Sequence, residues 1–450
     1  MFVREKFLLT YVGIVILENA VVDKIKRIII KLLYKLTVPF KKSISLVIPT
    51  HVLQKAKKNL LDMTNSGKYK KQESLKEIGT KGVNLIGYSR AEMGIGESCR
   101  LAANTISNTG IPFGIINFSG TNSSRKTDLS WIHKEINEPL YNINVFHINA
   151  EQMPEINLLY GDSLFLKRYN IGFWHWELPD FPDEWLESFN YVDEIWVPST
   201  YVWESISLKS PVPVVKIPHS IEVKIMDQRN RESFDLPETS FLFLTMYDIN
   251  SIQERKNPQA SIESFKLAFG PEDMSVGLVV KINGSIAKVK ENSYLSELVE
   301  NYKNVYIIDG TISRNDINSL MNIIDSFISL HRSEGFGLGF AEAMYLRKPV
   351  IGTNWSSNTD FMKHTNSCLV NYELIPLGKD YGPYKAYQYW ANPDINHAAE
   401  YMAKLVNDKV YYNVIACEGQ AYIKKHYSPQ RVGELVKKRL NYIYMWKFGG

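Results

Sequence analysis

Two carboxylates, Glu334 and Glu342, frame a loop with three glycines, Gly335, Gly337 and Gly339. The apolar run at 326–330 before that loop reads as a buried strand. Phe340, Ala343, Met344 and Leu346 then recur at helical spacing until Lys348-Pro349 stops the helix, and 350–352 reads as the next strand. A strand, a glycine loop and a helix N-terminus make an anion site. The first helical N–H groups lack intrahelical partners, and the helix dipole adds partial positive charge there. The glycines let the backbone approach a ligand closely or take positive φ. A carboxylate beside phosphate is unfavourable unless hydroxyls stand ready to donate to it. Two of them at an anion site point to a ligand with both phosphate and hydroxyls, as in a sugar nucleotide. The same spacing also suits a plain Rossmann-like turn in which Glu342 caps the helix electrostatically.

A second chemical cluster is Arg255-Lys256-Asn257-Pro258, after the apolar run 241–246. Proline suits the first turn of a helix, so two cations stand beside another helix N-terminus. Arginine can grip a diphosphate bidentately and lysine can neutralise the charge left over. A solvated Arg-Lys pair is the alternative. Gly94 and Gly96 follow the run 82–88 and give a βαβ-type turn with only the Gly-x-Gly of a dinucleotide fingerprint. Either ligand approach or close packing of a helix on a strand accounts for them. Residues 171–185, IGFWHWELPDFPDEW, carry Trp174, His175, Trp176, Glu177 and Trp185 at a strand end, where α/β sheets bind ligands. The aromatic rings there either stack on sugar faces or fill the core. His147 ends another apolar run and either lines a cleft or is a satisfied structural histidine. The chain has no Asp-x-Asp, the ligand set of a metal-bound diphosphate, so neither a metal nor another cofactor is expected.

These residues need elements to hold them. At 450 residues, 45% apolar and 22% charged, the chain has room for two or three globular domains. Strands are expected at 82–88, 112–118, 143–148, 169–174, 194–197 and 212–217, then at 241–246, 276–282, 305–308, 326–330 and 350–352. Helices are expected between them, with three more at 395–407, 410–425 and 429–445. Such alternation argues for parallel, doubly wound sheets. The expected organisation is an extension and linker at 1–80, one Rossmann-like domain at 81–220, a second at 221–425, and a last helix at 426–450.

The net charge of +4 hides an asymmetry. Residues 1–80 hold 16 Lys/Arg against 6 Asp/Glu, and the rest of the chain 36 against 42. Residues 7–17 are apolar but too short to span a bilayer. From Val22 the pattern becomes a basic amphipathic helix, suited to an anionic membrane surface or to packing on the body. No recognition motif accompanies the charge, which argues against nucleic acid. Cys99, Cys368 and Cys417 lack disulfide or metal spacing and fit a reducing cytoplasm.

Glu334 and Glu342 with EGFGL between them, in their setting at 329–352, resemble the E-x7-E signature of retaining family-4 (group 1) glycosyltransferases. The RKNP segment resembles the diphosphate-binding loop of the same family. The resemblance implies the GT-B fold: α/β, two Rossmann-like domains facing across a cleft, here with an N-terminal helical extension and a last helix that crosses back. It implies that Glu334 contacts the donor sugar and Glu342 the ribose, while Arg255 and Lys256 hold the leaving diphosphate. Gly335, Phe336, Gly337 and Leu338 then line the donor side, and Gly94 and Gly96 face the phosphates. His175 takes the place of a family histidine near the transferred sugar, in a WHWELP context that departs from the usual one. Trp176, Glu177 and His147 are the acceptor-side candidates. Met246 stands where many relatives carry an arginine, and 354–360 replaces a Gly-Gly…Glu loop. The implied activity is metal-independent transfer of a sugar, hexosyl-like, from a nucleotide-diphosphate donor to a glycan or lipid-linked acceptor. The basic N-terminus adds a lipid-linked or surface-glycan acceptor to the expectation, and with the cysteines it points to cell-surface polysaccharide synthesis in the cytoplasm or on the inner membrane face. A non-catalytic sugar-nucleotide-binding partner and a sugar-nucleotide epimerase share the same fold.

Overall fold

The computed structural model describes residue 25 and residues 28–32, 80–120, 124–249, 251–284 and 298–449. The apolar run 7–17 and the linker at 64–79 lie outside the described residues.

The first sheet holds β1 (Thr80–Gly87), β2 (Phe113–Asn117), β3 (Tyr141–His147), β4 (Tyr169–Phe173), β5 (Glu194–Val197) and β6 (Val214–Lys216). All are parallel, in the order β2-β1-β3-β4-β5-β6. The second holds β7 (Phe241–Asp248), β8 (Val276–Asn283), β9 (Val305–Ile308), β10 (Ser326–Ser329), β11 (Val350–Thr353) and β12 (Cys368–Val370). These are parallel in the order β12-β11-β10-β7-β8-β9.

Parallel strands covered on both faces bury both sets of side chains, which is why they read as continuous apolar runs. On β7, Leu242 and Leu244 pack with Phe327 and Phe340 on one face. Phe243 and Tyr247 pack with Ile262, Phe265 and Met402 on the other.

The longer helices are α1 (Gly94–Ser107), α2 (Met153–Tyr160), α3 (Thr200–Ser207), α4 (Pro258–Ala268), α5 (Arg314–Ile323), α6 (Leu338–Tyr345), α7 (Ile395–Asn407), α8 (Lys409–His426) and α9 (Pro429–Ile443). Ser428 caps α9 by accepting from the Arg431 N–H, and Pro429 opens it. Val432, Val436, Leu440 and Ile443 recur at helical spacing and bury against Val83, Leu85, Ala103 and Ile106 of the first domain. The Tyr444 hydroxyl accepts from Gly82 N–H at 2.8 Å and donates to Gly82 O at 3.1 Å. The last helix therefore crosses back to the first sheet.

An antiparallel hairpin, β13 (Tyr372–Pro376) and β14 (Tyr389–Pro393), is inserted between β12 and α7. Its Leu377, Tyr384 and Trp390 join the core of the first domain, beside Trp174, Trp176 and Phe181.

Candidate active site

Strand order reverses between β1 and β3 in the first sheet and between β7 and β10 in the second. Loops leaving the strands diverge at such points and open a crevice. A cavity of about 460 Å³ lies there, lined from both domains.

On the second-domain side, β10 runs into the Glu334 loop. Gly337 caps α6 at φ +92°, a left-handed conformation that a side chain strains to adopt. Gly335, Phe336, Gly337, Leu338 and Gly339 line the cavity. Glu334 accepts a hydrogen bond from Lys256 Nζ. Its other oxygen lies 3.6 Å from Arg255 Nη1, and its N–H donates to Ser356 Oγ at 2.9 Å. Burial works against the charge of Glu334. The attraction of Lys256 and Arg255 outweighs it and holds the carboxyl down at about 2.

Arg255 and Lys256 end a short helical turn (Gln253–Lys256), and Asn257 in left-handed conformation swings the chain into α4. Arg255 is buried, donates to Ser333 O at 2.9 Å, and lies 3.8 Å from Glu177. Burial lowers its pKa, but the carboxylates of Glu177 and Glu334 hold it above the ordinary value, so the guanidinium is a fixed cation. Arg255 Nε and His175 Nδ1 have no partner among the described residues.

On the first-domain side, His175 Nε2 and His219 Nε2 are 2.9 Å apart, so one ring donates and the other accepts. The His175 N–H donates to Asn149 Oδ1 at 3.1 Å. Burial pushes the His175 ring down to about 4, which makes it neutral at physiological pH. Glu177 lines the cavity and accepts from the Tyr384 hydroxyl at 2.8 Å.

The structure separates other candidates from the cavity wall. Glu342 is buried one helical turn beyond Leu338 and takes a hydrogen bond from Arg314. Arg314 also reaches Glu97 of α1 at 3.5 Å, across the cleft. Burial raises the Glu342 pKa, Arg314 lowers it in part, and Glu97 raises it again. Gly94 lines the cavity, whereas Gly96 does not. A Cβ on Gly96 would come 2.1 Å from Ala91 O, so this glycine packs helix on loop. Trp176 is 1% exposed, donates to Asp180 O at 2.9 Å, and meets Trp185 edge-on at 5.0 Å, as a core residue does. His147 is buried with its ring stacked 4.2 Å from Phe173 and its Nδ1 3.2 Å from Ser98 Oγ.

His219, Tyr384, Arg314, Asn149 and Asp248 are residues of the site or its immediate support that sequence reasoning missed. His219, Asn149 and Asp248 offered one signal, their places at or just after the ends of β6, β3 and β7; Tyr384 and Arg314 offered none without the fold.

Residues 226–373 match the family model of glycosyl transferases group 1. That match contains Arg255, Lys256, Glu334 and Glu342. No curated protein sequence matches the chain. Among solved structures, a point mutant of Staphylococcus aureus TarM, in complex with fondaparinux, α-GlcNAc-glycerol and UDP, is 16% identical with a TM-score of 0.50. That likeness covers 66% of this chain and 55% of TarM, so this chain spans just over half the length of that relative. Anabaena HepE with UDP-glucose is 14% identical with a TM-score of 0.58, covering 81% of this chain and 100% of HepE. Sucrose-phosphate synthase of Thermosynechococcus elongatus is 12% identical with a TM-score of 0.58, covering 81% and 99%. At these identities the likeness is one of fold, and the fold is GT-B.

Proposed function

We propose that the protein is a retaining glycosyltransferase that moves a hexosyl-like group from a nucleotide-diphosphate donor to a hydroxyl of a glycan or lipid-linked acceptor, in cell-surface polysaccharide synthesis. One observation carries the reading. Arg255, Lys256, Glu334 and the N-terminus of α6 meet His175 and Glu177 of the opposite domain around a single cavity at both switch points.

In this reading Arg255 and Lys256 stabilise the charge that develops on the departing diphosphate, with help from the N-terminus of α6. Glu334, ionised and already held in place by those cations, accepts from donor-sugar hydroxyls. Neutral His175 exchanges hydrogen bonds with the transferred sugar without adding charge, its ring fixed by His219. Glu342 serves the ribose once Arg314 yields one of its carboxylate oxygens. Enclosure between two domains excludes water and suppresses donor hydrolysis. No residue of this scheme calls for a metal.

Peripheral membrane seating on the cytoplasmic side belongs to the same proposal. Ile25, Ile28, Ile29 and Leu32 share one face of the helical segment there and are each about half exposed. That suits the surface of an anionic bilayer. Among the described residues no helix is long and apolar enough to cross a membrane.

TarM and HepE were solved with UDP or UDP-glucose, so UDP sugars come first in a thermal-shift panel of nucleotide sugars. A donor at a hundred times its Kd adds about 2.7 kcal/mol of stability. A donor that stabilises the protein, with nucleoside diphosphate released only when an acceptor glycan is added, supports transfer. Binding without turnover identifies a non-catalytic partner, and an epimerised sugar nucleotide without acceptor identifies an epimerase. A full panel without any shift in melting temperature sinks the reading.

A further inference from the structure

The β13–β14 hairpin leaves the second domain but buries itself in the first. At its base the Ala391 N–H donates to Arg332 O at 3.0 Å, within the second domain. Beyond the strands, Gln388 Oε1 accepts from the Asp180 N–H at 3.2 Å, and Lys385 lies 3.0 Å from Glu184. The Tyr387 hydroxyl donates to Asp180. The Tyr384 ring sits 5.1 Å from Trp176, on the tryptophan-rich loop that also carries His175 and Glu177. A segment that only tied two domains together could do so with these contacts alone.

Tyr384 does something more specific. Its hydroxyl donates to Glu177 Oε2 at 2.8 Å, and the other Glu177 oxygen is 3.8 Å from Arg255 Nη2. On the far side of the same guanidinium, Nη1 donates to Ser333 O at 2.9 Å and lies 3.6 Å from Glu334. The guanidinium is therefore clamped between a carboxylate of each domain, and Tyr384 holds the first-domain carboxylate in place. Burial and the neighbouring Glu177 keep the phenol protonated, so it remains a donor at neutral pH. An arginine with a rigid fork must be aimed to meet a diphosphate bidentately, and a carboxylate free to change rotamer aims it badly.

We propose that the β13–β14 hairpin is a strap between the domains and that Tyr384 is a positioning residue, which orients Arg255 toward the departing diphosphate through Glu177. The proposal rests on the glycosyl-transfer reading above. It changes the part played by Glu177, from an acceptor contact to a holder of the leaving-group arginine. It also makes the aim of that arginine depend on both domains being docked, because Tyr384 and Arg255 come from one domain and Glu177 from the other.

The test compares wild type with Tyr384→Phe, Glu177→Gln and the double variant. Phenylalanine keeps the ring against Trp176 and removes only the hydroxyl, so its melting temperature should stay close to that of wild type. The readouts are kcat and KM for the donor found in the nucleotide-sugar panel, and the affinity for UDP or the matching nucleoside diphosphate. Tyr384→Phe should lower kcat on the order of tenfold to a hundredfold, leave the donor KM little changed, and weaken diphosphate binding. The double variant should be no worse than Glu177→Gln alone, because both changes break one line of contact. A Tyr384→Phe enzyme equal to wild type in kcat and in diphosphate affinity overturns the strap's positioning role, as do losses that multiply in the double variant. Wild type that binds no nucleotide overturns the glycosyl-transfer reading itself, and this proposal with it.

Discussion

Lys256→Met removes the cation hydrogen-bonded to Glu334 while keeping a side chain of similar length. The structure sets the expected size of the effect. Glu334 is a buried carboxylate whose pKa is held at about 2 rather than at its ordinary 4.5, with Lys256 its strongest attraction and Arg255 the next. That difference corresponds to roughly 3 kcal/mol of stability carried by the ionised group at neutral pH. Losing the larger of the two attractions should cost about 2 kcal/mol at pH 7, since Lys256 is partly exposed and Arg255 remains. The sign with pH is fixed. A depressed carboxylate pKa stabilises the folded state above the unfolded pKa, and that stability drains away as pH falls toward the folded value. Roughly half or more of it is gone by pH 3. Urea unfolding at several pH values reads this directly. The gap between wild type and Lys256→Met should be widest near pH 7 and narrow steadily below pH 5. In a Glu334→Gln background the same lysine change should cost less than about 1 kcal/mol, because no buried charge is stranded. A gap that does not change with pH, or an undiminished cost in the Glu334→Gln background, refutes the pairing argument.

Two further outcomes follow from particular contacts. Gly96→Ala should destabilise the fold by about 1–3 kcal/mol or more in urea, because its Cβ meets Ala91 O, while Gly94→Ala, which faces open space, should stay within about 0.5 kcal/mol. His175 titrates near 4, so the rate of transfer should show no histidine inflection between pH 6 and pH 8. An inflection near 6.5 that disappears in His175→Gln would contradict the buried, neutral ring.

Much of this architecture is legible in the chain because parallel, doubly covered strands write themselves as apolar runs. The strands at Glu194–Val197 and Val305–Ile308 and the helix Ile395–Asn407 fall where periodicity and capping residues place them. The glycine loop after β10 and the cations before α4 were visible for the same local reason: their chemistry is contiguous in sequence. What stayed hidden is what only packing decides. The β13–β14 hairpin is short, ends each strand in proline, and owes its burial to the other domain's aromatic residues, none of which is near it in sequence. Glu342 has its partner 28 positions away in Arg314, on a helix whose pattern gives no hint of a buried charge. Trp176 reads as a stacking platform until Trp185, Phe181 and Tyr384 are seen around it. The two glycines Gly94 and Gly96 look alike in a motif, yet one faces the cavity and the other a carbonyl oxygen, a distinction set by the path of a neighbouring loop.

The central claim is that the cavity between the sheets holds a nucleotide diphosphate on Arg255 and Lys256. Calorimetric titration of wild type and Lys256→Met with a panel of nucleoside diphosphates, UDP first, tests it most directly. One of them should bind wild type, and the lysine change should weaken it on the order of a hundredfold, as expected when a charge-assisted contact worth about 2–3 kcal/mol is lost. Equal affinity in the two proteins would contradict it.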